Sequence, residues 1–281
     1  MQRLAVFQSL WAMEQRRPGM PEDPPEAWFE RIAEAGFDGV CLDPAVDEIE
    51  AMRALRPLFE SHGLQCMVNA FPHRLDELTP LLRLAKELNA VCVNVIGQVM
   101  PLTVREGVQV LRRWLEDAER EGITLLFETH RDCTLNDLHY AVRVLERMPE
   151  LRLAADLSHY VVDREMRLPL TPTDAMHMQL ILERADCLQG RVASREQVQV
   201  QIDFPQHQAW VRQFRDWWEE GIRLWRQRSA SDATLLFLCE LGPPPYAITD
   251  AGQQELSDRW REALTIRDWV REMWARSAPS S

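Results

Sequence analysis

The sequence predicts an α/β protein folded as a single-domain (β/α)8 TIM barrel, and three observations carry that reading. Short, β-rich apolar runs alternate strictly with longer amphipathic runs, eight of each, from one end of the chain to the other. The strand-like runs are too apolar to face water on either side, as in a parallel sheet whose faces are covered by crossover helices. The length of 281 residues suits a barrel of this kind, which typically takes about 250. A doubly wound open sheet is the competing architecture, but no GxGxxG turn follows the first strand.

The elements run as follows. The first strand is LAVFQSLW (4–11). It lacks a basic leader and a small-residue cleavage site, so it is expected to be a strand of the mature protein. After a loop, PGMPEDPPE (18–26), the segment PPEAWFERIAEAG has prolines near its first turn and a glycine stop, both helix signals. Three more pairs follow: DGVCLD (38–43) with EIEAMRALRPLFESHG, LQCMVNAF (64–71) with LDELTPLLRLAKELN, and AVCVNVIG (90–97) with VREGVQVLRRWLEDAEREG. The second half pairs TLLFETH (124–130) with TLNDLHYAVRVLERM, and LRLAADLS (151–158) with the shorter DAMHMQLILER. ADCLQGRVA (185–193) precedes HQAWVRQFRDWWEEGIRLWRQR, and TLLFLCEL (234–241) precedes the last helix, which ends near residue 276. No domain boundary interrupts the pattern, so the barrel is expected over 1–276 with a disordered tail at 277–281. Trp210, Trp217, Trp218 and Trp225 have helix-core spacing, which predicts packing, within the chain or at a subunit contact, rather than a cofactor stack.

Composition excludes several chemistries. Of 32 basic residues only Lys86 is a lysine, and it lies in a helix-like run. Schiff-base, pyridoxal-phosphate and Walker-type sites each need a lysine in a defined place. The 44 acidic residues leave a net charge of -12, which argues against nucleic acid or an anionic membrane as partner. No run approaches the ~20 apolar residues of a membrane span. The six cysteines show no CxxC spacing, and five lie in strand-like runs, as buried reduced thiols of a cytoplasmic protein would.

The chemistry of such a barrel sits where the strands end, on the βα loops. Four consecutive strands end in polar residues. Strand five delivers Glu128 and, two residues on, His130; strand six ends at Asp156, followed by Ser158 and His159. Strand seven presents Gln189 and Arg191, and strand eight ends at Glu240 before GPPPY. Carboxylates at the ends of apolar strands are costly to bury without positive charge. Arg131 and Arg191 offset only part of three of them. One divalent cation completes the balance, and an oxygen-rich donor set suits Mn2+, Mg2+ or Co2+, with Zn2+ as the softer alternative. Taken singly, each of these residues is as well explained as a helix cap or ion-pair partner.

The segments FETHRD, DLSHY, GRVAS and CELGPPPY, in that order, resemble the xylose isomerase-like TIM-barrel family of sugar phosphate isomerases and epimerases. That family includes hydroxypyruvate isomerase, ketose 3-epimerases, some dehydratases and endonuclease IV. The resemblance implies that Glu128, Asp156, Gln189 and Glu240 hold the metal, with Gln189 where the relatives nearest in pattern carry histidine. It also implies that His159 contacts substrate.

Such a site implies an isomerase or epimerase of a sugar or small hydroxy-ketone, with proton transfer through a metal-stabilised cis-enediolate. Glu128 and Glu240 are the expected acid–base pair. His159 and Arg191 are expected on substrate oxygens with His130 as support, and Trp11 and Tyr246 as pocket walls. A keto-sugar or keto-inositol dehydratase of the same fold, a non-catalytic binding barrel and an endonuclease IV-like phosphodiesterase are the competing readings; few histidines and the acidic charge oppose the last. The expected partners are a small sugar or keto-acid substrate and further copies of the chain.

Overall fold

The computed structural model describes residues 1–15 and 19–277; of the tail expected at 277–281, Ser277 caps the last helix and takes a hydrogen bond from Arg226, and 278–281 lie outside the described residues. Eight strands, β1 (Arg3–Ser9), β2 (Gly39–Leu42), β3 (Gln65–Ala70), β4 (Val93–Val95), β5 (Leu125–Glu128), β6 (Leu153–Ala155), β7 (Ala185–Gln189) and β8 (Thr234–Cys239), pair in parallel in sequence order, and β8 closes on β1. The closure register runs from Arg3 opposite Thr234 to Gln8 opposite Cys239. Closure removes both sheet edges, so the short strands leave no unpaired ladder.

The helices are α1 (Pro25–Glu34), α2 (Ile49–Arg53), α3 (Arg56–His62), α4 (Leu78–Glu87), α5 (Val104–Glu121), α6 (Leu138–Arg147), α7 (Leu157–Asp163), α8 (Pro172–Leu182), α9 (Gln208–Arg228) and α10 (Arg259–Arg276). Two departures from the sequence reading matter. The second predicted helix is split into α2 and α3 just before Pro57, which cannot donate a backbone hydrogen bond and crowds the preceding turn. The sixth strand ends at Ala155 instead of reaching Ser158, because Asp156 caps a helix: its carboxylate accepts from Ser158 N at 2.9 Å. Thr103 and Glu106 form a capping box at the start of α5, and left-handed Gly122 stops it.

Two apolar layers result. Outward strand residues and the helix faces make the larger core, which takes in all four tryptophans of α9: Trp210, Trp217, Trp218 and Trp225 are buried in their own chain. A smaller cluster, including Phe7, Cys41, Met67, Leu126, Cys187 and Leu238, fills the barrel interior. All six cysteines are buried and free, and burial raises their thiols. No helix among the described residues is long and apolar enough to cross a membrane.

The segment 190–204 turns inward. Gln199 is buried and exchanges hydrogen bonds with the Gly242 backbone, and Ile202 N donates to Glu262 of α10 at 3.0 Å. Burial pushes the Glu262 carboxyl up to about 7 against the hydrogen bond from Ile202, with Asp203 and Glu255 adding to the rise.

A Cβ at Gly39 would lie 2.3 Å from Phe7 Cε1 and 2.5 Å from the Gln65 carbonyl, where β2 is clasped by its neighbours. Gly39→Ala is therefore expected to cost about 1–3 kcal/mol, read as a lower midpoint in urea. Glu262 has a raised folded-state pKa, so its stabilisation is present below about 4.5 and is lost as pH rises through about 7. Glu262→Gln keeps an acceptor for Ile202 N. Its stability relative to the wild type should rise by as much as about 3 kcal/mol between pH 4.5 and 7; parallel curves would refute the assignment.

Candidate active site

The pleat of the strands builds the site, because side chains two residues apart share a face. Two residues beyond the interior residues Phe7, Cys41, Met67 and Cys92 come Ser9, Asp43, Asn69 and Asn94. Two beyond Leu126, Ala154, Cys187 and Leu238 come Glu128, Asp156, Gln189 and Glu240. Every strand thus changes from apolar to polar at one level of the barrel. Two residues further, Trp11, Phe71, Ile96, His130 and Arg191 line a cavity of about 400 Å3, which Tyr246 completes and Asp43, Glu128 and Glu240 floor. Trp11 and Tyr246 meet edge to face at 5.2 Å.

The sequence reading picked out the polar residues of β5–β8 and missed those of β1–β4. Asn69 Nδ2 donates to Asp43 Oδ1 (2.8 Å) and Glu240 Oε1 (3.0 Å), and Asn94 Nδ2 donates to Asn69 Oδ1 (2.9 Å) and to Glu128 Oε2. The missed residues therefore hold both glutamates. The signal was available: the step from Met67 to Asn69 and from Cys92 to Asn94 is the same step that reaches Glu128 from Leu126.

Oxygens of Glu128, Asp156 and Glu240 lie within 4.8 Å of one another, and all three residues are buried. Arg191, itself 1 % exposed, answers part of this charge. Its Nη1 is 2.9 Å from Asp156 Oδ2, its Nη2 3.1 Å from Glu240 Oε2, and its Nε donates to the Glu240 carbonyl at 2.8 Å. Burial opposes ionisation of Asp156, but Arg191 and then His159 overcome it and hold the carboxyl well below its usual range. Glu128 has no such partner. Burial and then Asp156 push it up to about 8, against hydrogen bonds from Asn94 and Gln189. Burial and Glu128 together raise Glu240 well above the ordinary carboxylate range despite Arg191. Asp43 is raised to about 6, mainly by burial.

Gln189 enters the cluster through Nε2, 2.6 Å from Glu128 Oε2, and Trp218 Nε1 anchors its carbonyl at 3.1 Å. The side-chain oxygens of Gln189 and Asn94 are buried without a partner. Three clustered carboxylates, one opposing guanidinium and an unpartnered amide oxygen form a hard donor set in negative excess, and these residues fit a divalent cation.

His159 is fully buried, and burial lowers it to about 4, so its ring is neutral at pH 7. Nδ1 lies 2.9 Å from Arg131 Nη1, and Nε2 lies 3.2 Å from Arg191 Nη1 and 3.3 Å from Asp156 Oδ2. His130 lies beside it with ring centroids 3.7 Å apart and the planes tilted by 39°, and burial followed by His159 lowers it to about 3. Glu128, His130 and His159 form a second group with ligand atoms within 4.8 Å.

A family model described as the xylose isomerase-like TIM barrel matches residues 29–186. Among solved structures, the chain is similar to D-allulose 3-epimerase from Methylomonas sp. in complex with D-allulose, with a TM-score of 0.61 at 12% identity over 97% of this chain and 98% of that one. It is also similar to the probable 3-DHS dehydratase AsbF of Bacillus anthracis (TM-score 0.56, 12% identity, 99% and 100% covered). A third is a xylose isomerase-like TIM barrel protein from Mycobacterium smegmatis in complex with magnesium (TM-score 0.57, 14% identity, 96% and 98% covered). These likenesses concern the fold. No curated protein matches the sequence significantly.

Removing Arg191 leaves Asp156 and Glu240 buried without their shared cation. Arg191→Gln is expected to lower stability at pH 7 by about 3–5 kcal/mol. The deficit should shrink as pH falls and the carboxyls take up protons, which denaturant titrations at pH 5 and pH 8 would reveal.

Proposed function

The chain belongs to the xylose isomerase-like TIM-barrel family, and on that premise we propose that it is a divalent-metal-dependent isomerase or epimerase of a sugar or small hydroxy-ketone. The observation that carries this reading is the convergence of two buried glutamates, both with raised affinity for a proton, on one cavity of substrate size. Glu128, Asp156, Gln189 and Glu240 would hold the ion, and when bound it supplies Lewis acidity at the carbonyl and hydroxyl oxygens of the substrate.

The remaining work falls to the chain. Glu128 Oε2 is tied to Asn94 and Gln189, so Oε1 is the atom that takes the proton next to the carbonyl. Glu240, positioned by Asn69 at Oε1 and Arg191 at Oε2, returns a proton to the neighbouring carbon in an isomerase or to the opposite face in an epimerase. Arg191 and His130, which line the cavity, hold substrate oxygens, and neutral His159 packs behind them against Arg131 and Arg191. Trp11, Phe71 and Tyr246 lay apolar surface against the ligand and keep water from the reacting carbon.

Elemental analysis of the purified protein, with solvent-deuterium exchange into a panel of ketoses, tests the reading. A divalent metal should copurify, and Glu128→Gln and Glu240→Gln should each slow exchange about 10²–10⁴-fold. A product lighter by one water would assign the chain to the dehydratases, one of which shares its fold. Absence of metal, together with exchange indifferent to both substitutions, would leave a binding barrel without catalysis.

A further inference from the structure

The opposite end of the barrel carries a second cavity, of about 550 Å3, formed where the strands begin. The apolar plug of the interior separates it from the carboxylates. Such N-terminal faces ordinarily serve stability alone, but the charge here is opposite in sign to that of the whole chain. In a chain of net charge -12, Arg3, Arg152 and Arg228 line this mouth against one lining carboxylate, Asp186.

Asp186 does not satisfy them. Its Oδ1 is 2.7 Å from Arg228 Nη1, whereas its Oδ2 is 3.8 Å from Arg152 Nε, beyond a hydrogen bond. Arg152 Nη1 is buried and has no partner, and Arg3 forms no ion pair among the described residues. Burial holds Arg152 below the usual arginine range, and Arg228 and Arg184 add to this against Asp186. Arg3 without an ion pair among the described residues, and Arg152 held only by its 3.8 Å pair with Asp186 and keeping one donor shielded from water and unused, mark a place for an anion with several acceptor oxygens. The cavity is much larger than a bare phosphate, and its lining continues into the apolar side chains Leu126, Leu236 and Trp225.

We propose that the N-terminal mouth of the barrel binds a phosphate monoester, with Arg3, Arg152 and Arg228 around the phosphoryl group and Leu126, Leu236 and Trp225 against its organic part. The site is independent of the catalytic reading, since it shares no residue with it.

Phenyl phosphate is the test ligand, titrated calorimetrically into the full-length protein at fixed ionic strength, with inorganic phosphate and phenol as comparisons. Phenyl phosphate should bind, inorganic phosphate at least tenfold more weakly, and phenol not measurably. Arg152→Gln and Arg3→Gln, neither of which removes a structural hydrogen bond seen here, should each weaken phenyl phosphate at least tenfold. Arg131→Gln, at the catalytic end, should leave it unchanged. Equal affinity for inorganic phosphate would overturn the monoester assignment in favour of the free anion. Affinity indifferent to Arg152→Gln and Arg3→Gln, or lost in Arg131→Gln instead, would overturn the site itself.

Discussion

Three carboxylates cannot stay ionised in a dry cavity without positive charge among them, and the upper half of this barrel is arranged around that constraint. Arg191 meets Asp156 and Glu240 with separate nitrogens of one guanidinium and fixes its own plane through the Glu240 carbonyl. Glu128 is left to neutral amides. The result is an uneven set: Asp156 is firmly ionised, while Glu128, pushed up to about 8, and Glu240, raised well above the ordinary carboxylate range, hold protons more tightly. Environments that separate the proton affinities of neighbouring acids are what acid–base chemistry requires.

The same constraint explains the neighbours. His159 remains neutral chiefly because it is fully buried, against the pull of Asp156 and with Arg191 and Arg131 adding to the effect. Asn69 and Asn94 cross-link the carboxylates by donating two hydrogen bonds each, which an aspartate in either place could not do. The amide oxygens of Asn94 and Gln189, whose nitrogens both reach Glu128, are left buried without a partner.

Much of the architecture was legible in the chain. Continuous apolar runs rich in valine, leucine and cysteine separated by amphipathic segments mark strands and helices locally, and all eight strands fall where those runs lie. The misreadings were local too. Pro57 divided a helix, and Asp156 acted as a cap and began α7 where a strand was expected to continue. In the site, charged residues ending β5, β6 and β8 stood out because a carboxylate in an apolar run is anomalous. The asparagines of β3 and β4 carry no charge and sit inside otherwise apolar runs, so composition concealed them while the pleat exposed them.

The sequence by itself determined the order of elements and, through the polar residues that end β5–β8, which side chains of those strands could enter the barrel, because these follow from backbone periodicity and short-range sterics. Only the tertiary structure decided which charges meet. Barrel closure brings β5, β7 and β8 around one cavity, gives Arg191 to Asp156 and Glu240 while withholding it from Glu128, and gathers three arginines at the far mouth around a single aspartate. Coulomb energy depends on separation and on exclusion of water, and neither is set until distant strands are side by side.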